Sequence, residues 1–212
     1  QGPGQSTPMD EQTFFRIYSM TKPIICVALM TLYEQGRFQL TDPLAKFIPA
    51  FNDLKVLECD EKGEAKEVDL VRPPTVRSLL THTSGLSYDF LEDYPVAELY
   101  RQAGILNNAE RTLEELVNEL SRLPLAFQPD SNWHYSLGID VAARLIEIIS
   151  GLALEQFLKE NIFDPLGMVD TGFSVAPEEQ HRIAAMYGLP DLCSPKMTMS
   201  KLFEAWSSGF NE

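Results

Sequence analysis

Ser19 stands three residues before Lys22 in Phe14-Phe15-Arg16-Ile17-Tyr18-Ser19-Met20-Thr21-Lys22-Pro23, where an extended run gives way to helical periodicity. Residues three apart share a helix face, so the Lys22 amine reaches the Ser19 hydroxyl. An amine held out of water can take that proton, which makes the pair a nucleophile with its base. Amides of the first helical turn lack helical acceptors and favour negative charge developing near Ser19. Pro23 falls in the same turn, where its missing N–H costs little. Phe14, Phe15 and Ile17 supply an apolar floor. The spacing also fits a capping serine followed by a solvated lysine, so the rest of the chain has to decide between the two.

The elements that must hold this pair follow from periodicity and punctuation. Ile25, Ala28, Leu29 and Leu32 recur at three and four, and Gly36 stands where a helix C′ residue belongs, which predicts a helix over 22–35. A short helical turn begins in Leu40-Thr41-Asp42-Pro43-Leu44 and ends at Ile48-Pro49. Two β-prone pieces between Val56 and Val71 read as an exposed hairpin turning at Lys62-Gly63. Thr75 caps a helix running to Leu80, which delivers the chain into Thr81-His82-Thr83-Ser84-Gly85-Leu86. Helices are expected over 94–103 and 113–123, the second opened by a capping box of Thr112 and Glu115. The turn Pro129-Asp130-Ser131-Asn132 leads into Trp133-His134-Tyr135-Ser136, and a helix then carries Leu137, Val141, Leu145 and Ile148 on one face up to Gly151. Tyr135 is thereby held at a helix entrance. Further helices read over 154–162, stopped by Asp164-Pro165-Leu166-Gly167, and over 199–206.

Composition bounds what this arrangement serves. The 212 residues, 44% of them hydrophobic, suffice for one domain with a core. A formal net charge of -14 repels nucleic acid and anionic membranes, and no basic cluster offsets it. No apolar run is long enough to span a bilayer. Cys26, Cys59 and Cys193 are odd in number and widely spaced, which argues against a disulfide framework and favours a reduced, cytoplasmic compartment. The chain opens on Gln1 rather than Met, so an export signal could have been removed, and a periplasmic or secreted location stays open. His181 has no acidic or cysteine neighbour at ligand spacing, and neither a metal site nor a cofactor is expected.

With Ser19, Lys22 and Tyr135 in view, the chain resembles the serine β-lactamase and penicillin-binding-protein superfamily, within it the class C β-lactamases, family VIII carboxylesterases and related acyltransferases. The landmarks are Ser19-Met20-Thr21-Lys22, Leu40-Thr41-Asp42-Pro43-Leu44, Leu79-Leu80-Thr81-His82-Thr83-Ser84-Gly85-Leu86, Tyr135-Ser136-Leu137 and Phe163-Asp164-Pro165-Leu166-Gly167-Met168, in the family's order. The resemblance implies an α+β, β-lactamase/transpeptidase-like fold. It implies that an ester or amide carbonyl acylates Ser19 while Lys22 and Tyr135 share the proton traffic. A phenol is a poor base in water, but a neighbouring ammonium stabilises the phenolate, and the two then act as one coupled base. His82 lies in a stretch that serves the family as a structural turn and is expected to be a satisfied buried histidine. Trp133 is placed as a wall of the acyl pocket, and His134 either hydrogen-bonds substrate or lines the cleft.

Two departures refine the expectation. Leu137 stands where lactamases and peptidases of this group carry an Asn that holds a substrate amide, which favours small esters over β-lactams. The family's third motif, a Lys-Thr-Gly or His/Trp-Gly-Gly strand that supplies the second oxyanion N–H, is missing, Trp206-Ser207-Ser208-Gly209 being a faint echo. Residues 1–212 are thus expected to form a single domain covering mainly the helical part, incomplete at both ends, with much of the central antiparallel sheet supplied by further sequence or a second chain. The leading expectation is a serine hydrolase or acyltransferase acting on short-chain carboxylic esters. Its rivals are a β-lactamase or D-amino-acid peptidase with the same nucleophile, and a non-catalytic module of the penicillin-recognising fold.

Overall fold

The computed structural model describes residues 8–60, 62, 64–108 and 110–185. The helix expected after Ser19 forms as α1 (Thr21–Glu34), preceded by a 3-10 turn over Tyr18–Met20. It buries Ile25, Ala28, Leu29 and Leu32, the set that falls on one face at helical spacing. The Gly36 N–H bonds the Tyr33 carbonyl at 2.8 Å and the Arg37 N–H bonds the Leu32 carbonyl at 3.1 Å. This pairing needs the left-handed φ of 69° that Gly36 adopts.

The helices α2 (Val76–Leu80), α3 (Val96–Gln102) and α4 (Leu113–Leu120) follow. Reciprocal capping boxes open α2 between Thr75 and Ser78 and α4 between Thr112 and Glu115. The central element is α5 (Gly138–Ser150), which packs against α1, α2, α4 and α6 (Leu154–Leu158). Because neighbours cover it on several sides, α5 buries Ile139, Val141, Ala142, Ala143, Leu145 and Ile146. Ile148, expected on the inner stripe, is exposed instead. Gly138 allows α5 to approach α2 closely, since a Cβ there would sit 3.0 Å from the Leu79 carbonyl oxygen. A π-helical turn over Lys159–Phe163 continues α6.

Among the described residues the only sheet is the hairpin of β1 (Lys55–Cys59) and β2 (Ala65–Asp69), antiparallel with Val56 opposite Val68. It is largely exposed, as expected, but β1 is also docked along one edge. Leu125 donates to the Lys55 carbonyl at 2.7 Å and accepts from the Leu57 N–H at 2.9 Å, so the outer edge of β1 is paired and Val56 is fully buried. Phe14, read as the start of an extended run, makes one parallel bridge to Ile183 through hydrogen bonds of 2.9 and 2.8 Å. The architecture is thus α+β, a helical body with a small antiparallel hairpin. The helix expected over 199–206, the Trp206-Ser207-Ser208-Gly209 echo and Cys193 lie outside the described residues.

Two glycines separate conformational cost from steric cost. Gly36 has open space around its missing Cβ, whereas at Gly85, with φ 87°, a Cβ would lie 2.4 Å from the Phe127 carbonyl oxygen. Gly36→Ala is expected to destabilise by about 1 kcal/mol. Gly85→Ala should cost ~3 kcal/mol or more, because the backbone itself must shift. Denaturant unfolding of the two variants checks the order, and equal losses would show that the Gly85 loop yields.

Candidate active site

Tyr135 is carried to Ser19 by two loops laced together through their backbones. Ala126 donates to the Gly85 carbonyl at 2.7 Å, Asp130 to Thr83 at 2.8 Å, His134 to His82 at 2.9 Å and Leu137 to Ser87 at 3.4 Å. A side-chain bond from the Thr83 hydroxyl to Asp130 Oδ1 at 2.9 Å fixes the turn, where Asp130 is left-handed at φ 63°. His82 is also left-handed, at φ 55°, and its Nδ1 lies 3.2 Å from Ser136 Oγ. The same Ser136 oxygen accepts the Gly138 N–H at 3.2 Å, tying the start of α5 to the His82 loop.

Here Tyr135 Oη donates to Ser19 Oγ at 2.6 Å across 116 positions of sequence. The Lys22 ammonium stands 5.0 Å from the centre of the Tyr135 ring and 5.6 Å from that of Tyr88, within cation–π range of both. The turn presenting Ser19 has Tyr18 at a left-handed φ of 40°, an unfavourable conformation held beside the Ser19 hydroxyl. A pocket of about 480 Å³ opens over the group, lined by Ser19, Lys22, Cys26, Leu80, His82 and Tyr135 among others. Its walls are largely apolar, as a site for a small uncharged group requires.

The surroundings keep most neighbouring groups uncharged. Burial, with the Lys22 and His134 charges adding to it, pulls His82 down to about 4. His134 is also lowered by burial, with Asp93 opposing. Burial, reinforced by Asp140 and Tyr135, pushes the Tyr88 phenol far up. The Cys26 thiol is raised by burial, against the pull of Lys22.

Ser19, Lys22 and Tyr135 are therefore brought together, and the other sequence candidates are not in the pocket. Trp133 is 47% exposed, its ring edge-on to His82 at 6.2 Å. His134 is 2% exposed and bonded through Nε2 to Ser87 Oγ at 2.9 Å, with Tyr94 packed edge-on. Leu137 is also 2% exposed and belongs to the core. Phe14, Phe15 and Ile17 line a separate cavity of about 420 Å³ with Phe173 rather than a floor beneath Ser19.

The structure moves one sequence candidate and adds two residues that the sequence did not place at the site. His82 is half-buried with its ring against Tyr135 at 5.0 Å, so it borders the pocket instead of filling the core. Cys26, one helical turn beyond Lys22, was accessible to a spacing argument. Tyr88 was not, because only the laced loops bring it under Lys22. Among the described residues no group of His, Cys, Asp and Glu is placed to hold a metal ion, and no helix is long and apolar enough to cross a membrane.

Comparisons with known proteins bear on this arrangement. A family model described as Beta-lactamase matches residues 2–202. Esterase EstB of Burkholderia gladioli is 34% identical over 187 residues, which cover 87% of this chain and 44% of that esterase. Monacolin J acid methylbutanoyltransferase of Aspergillus terreus is 36% identical over 174 residues, 81% of this chain and 40% of the transferase. The solved structure of EstCE1, described as a hydrolase with promiscuous acyltransferase activity, superposes with a TM-score of 0.70 at 30% identity, covering 86% of this chain and 45% of that one. The chain spans less than half the length of these relatives.

The position of His82 gives a pH dependence. Its folded value of about 4 lies below the free value of 6.5, so between those limits the unfolded chain binds the extra proton. Stability is fully present above pH 6.5 and is lost as pH falls from 6.5 towards 4, with His134 contributing in the same sense. The His82 ring resonance is expected to titrate near pH 4, and His82→Phe should lessen the fall in melting temperature below pH 6.5. A ring titrating near 6.5 would mean that His82 is solvated.

Proposed function

The chain belongs to the beta-lactamase family, and on that basis we propose that it carries the nucleophile of a serine hydrolase that cleaves short-chain carboxylic esters, or transfers the acyl group, through an acyl-Ser19 intermediate. The observation that carries this reading is the 2.6 Å bond from Tyr135 Oη to Ser19 Oγ with the Lys22 ammonium beside the phenol ring. Relatives named as an esterase and an acyltransferase support both arms.

In the resting geometry Tyr135 is the donor, so the base form requires its proton to move first. Tyr135 as phenol with Lys22 as amine, and Tyr135 as phenolate with Lys22 as ammonium, differ only in the place of one proton, and the second form is ready to act. Ser19 Oγ attacks the ester carbonyl as its proton passes to the Tyr135 oxygen. The tetrahedral oxyanion then collapses, the ester C–O bond breaks, and Tyr135 returns the proton to the leaving alcohol. Water or an acceptor alcohol next gives a proton to Tyr135, attacks the acyl carbon and releases Ser19.

The Ser19 N–H at the head of α1 is assigned as one oxyanion donor. The second donor and the remaining strands are assigned to sequence outside residues 1–212 or to a second chain. Trp133 is assigned to the rim of the acyl pocket, while His134 and Leu137 act by fixing the segment that holds Tyr135. Leu137 offers no amide for a β-lactam, and this favours esters.

In the full-length protein a fluorophosphonate should label Ser19, and p-nitrophenyl butyrate should turn over much faster than nitrocefin. Nitrocefin hydrolysis at a comparable rate would point to a lactamase, and absence of label to a non-catalytic module. Lys22→Ala and Tyr135→Phe should each lower kcat by roughly a thousandfold with KM little changed. The double variant should be no worse than the poorer single one; losses that add would show two independent groups.

A further inference from the structure

A second cavity, of about 200 Å³, lies behind Lys22, where α1, α4, α5 and α6 meet. Ile25, Leu113, Ala143 and Leu154 make most of its wall apolar, and Lys22 and Asp140 are among its polar members. Lys22 and Ile139 belong to both this cavity and the pocket over Ser19.

Asp140 lies in the first turn of α5. Acidic residues are common there, because the helix N-terminus favours them, but they ordinarily face water. Asp140 Oδ2 is instead fully buried and, among the described residues, has no hydrogen-bond partner. A carboxylate oxygen so placed costs free energy unless a charge or water in the cavity offsets it. Arg144, one turn further along α5, is occupied by Glu114 at 2.8 Å and Glu147 at 3.0 Å.

We propose that Asp140 is a positioning residue for the Ser19, Lys22 and Tyr135 group, its carboxylate acting across the rear cavity as the counter-charge that keeps Lys22 an ammonium beside the Tyr135 phenolate. The inference rests on the hydrolase reading above and deepens it. The groups facing Lys22 are Asp140 on α5, Tyr135 at its entrance, Tyr88 and His82 from the laced loop, and Cys26 on α1. Of these Asp140 is the one carboxyl, while His82, Tyr88 and Cys26 are all held neutral. Burial raises the Asp140 carboxyl and Lys22 opposes that rise, so the coupling has a reciprocal signature.

Two measurements on the full-length protein test this. Asp140→Asn should lower kcat roughly tenfold with KM within about twofold, and should move the alkaline limb of kcat against pH to lower pH, because the ammonium loses its counter-charge. Independently, carbon NMR of the Asp140 carboxyl in Lys22→Met should show it titrating at higher pH than in the wild type. An unchanged carboxyl titration, or an Asp140→Asn enzyme with the wild-type pH profile, overturns the inference. If Ser19 in the wild type takes no fluorophosphonate label, the hydrolase reading fails. The carboxyl titration then decides alone whether Asp140 and Lys22 are coupled, as it does if Asp140→Asn does not fold.

Discussion

The structure depends on bringing one phenol to one hydroxyl across 116 positions of sequence. A hydrogen bond of that length tolerates little displacement, so everything between its ends must be stiff. Two devices make it so. The packing of α5 on α1 fixes the axes that carry Tyr135 and Ser19, and the laced loops set where the chain enters α5. Gly85 permits the close approach to the Phe127 carbonyl on which the laced loops rely, and Gly138 lets the start of α5 approach α2.

Electrostatics complete what packing begins. Lys22 stands near the faces of two aromatic rings and is bordered by a histidine, a phenol and a thiol that burial keeps neutral. The left-handed Tyr18 shows that the backbone accepts an unfavourable conformation next to Ser19. Unfavourable backbone of this kind persists only where the surrounding structure over-determines it.

Much of this was legible in the sequence where local signals govern. The face of α1, the Gly36 terminus, the Thr75 and Thr112 caps and the hairpin all follow from spacing and from residue types with a fixed local use. The meeting of Ser19, Lys22 and Tyr135 was also anticipated, because the motifs come in a known order. What escaped is set by neighbours distant in sequence. Val56 is buried because Leu125 pairs its strand, and Ile148 is exposed because α5 is covered on its other sides. His134 and Leu137 lie close to the catalytic candidate in sequence yet are buried, while Tyr135 between them reaches Ser19. Tyr88 and Asp140 carry no motif, and their nearness to Lys22 arises from tertiary packing alone.

The lacing of the two loops is made mainly by main-chain N–H and carbonyl groups, which every residue but proline supplies in full. The alignment of phenol and hydroxyl is therefore largely insulated from the side chains that face the pocket. Those side chains are free to drift, reshaping the rim and the walls, while the phenol and the hydroxyl keep their register. A scaffold built this way separates the shape of the pocket from the bond at its base, so the walls can change one residue at a time without first dismantling that contact.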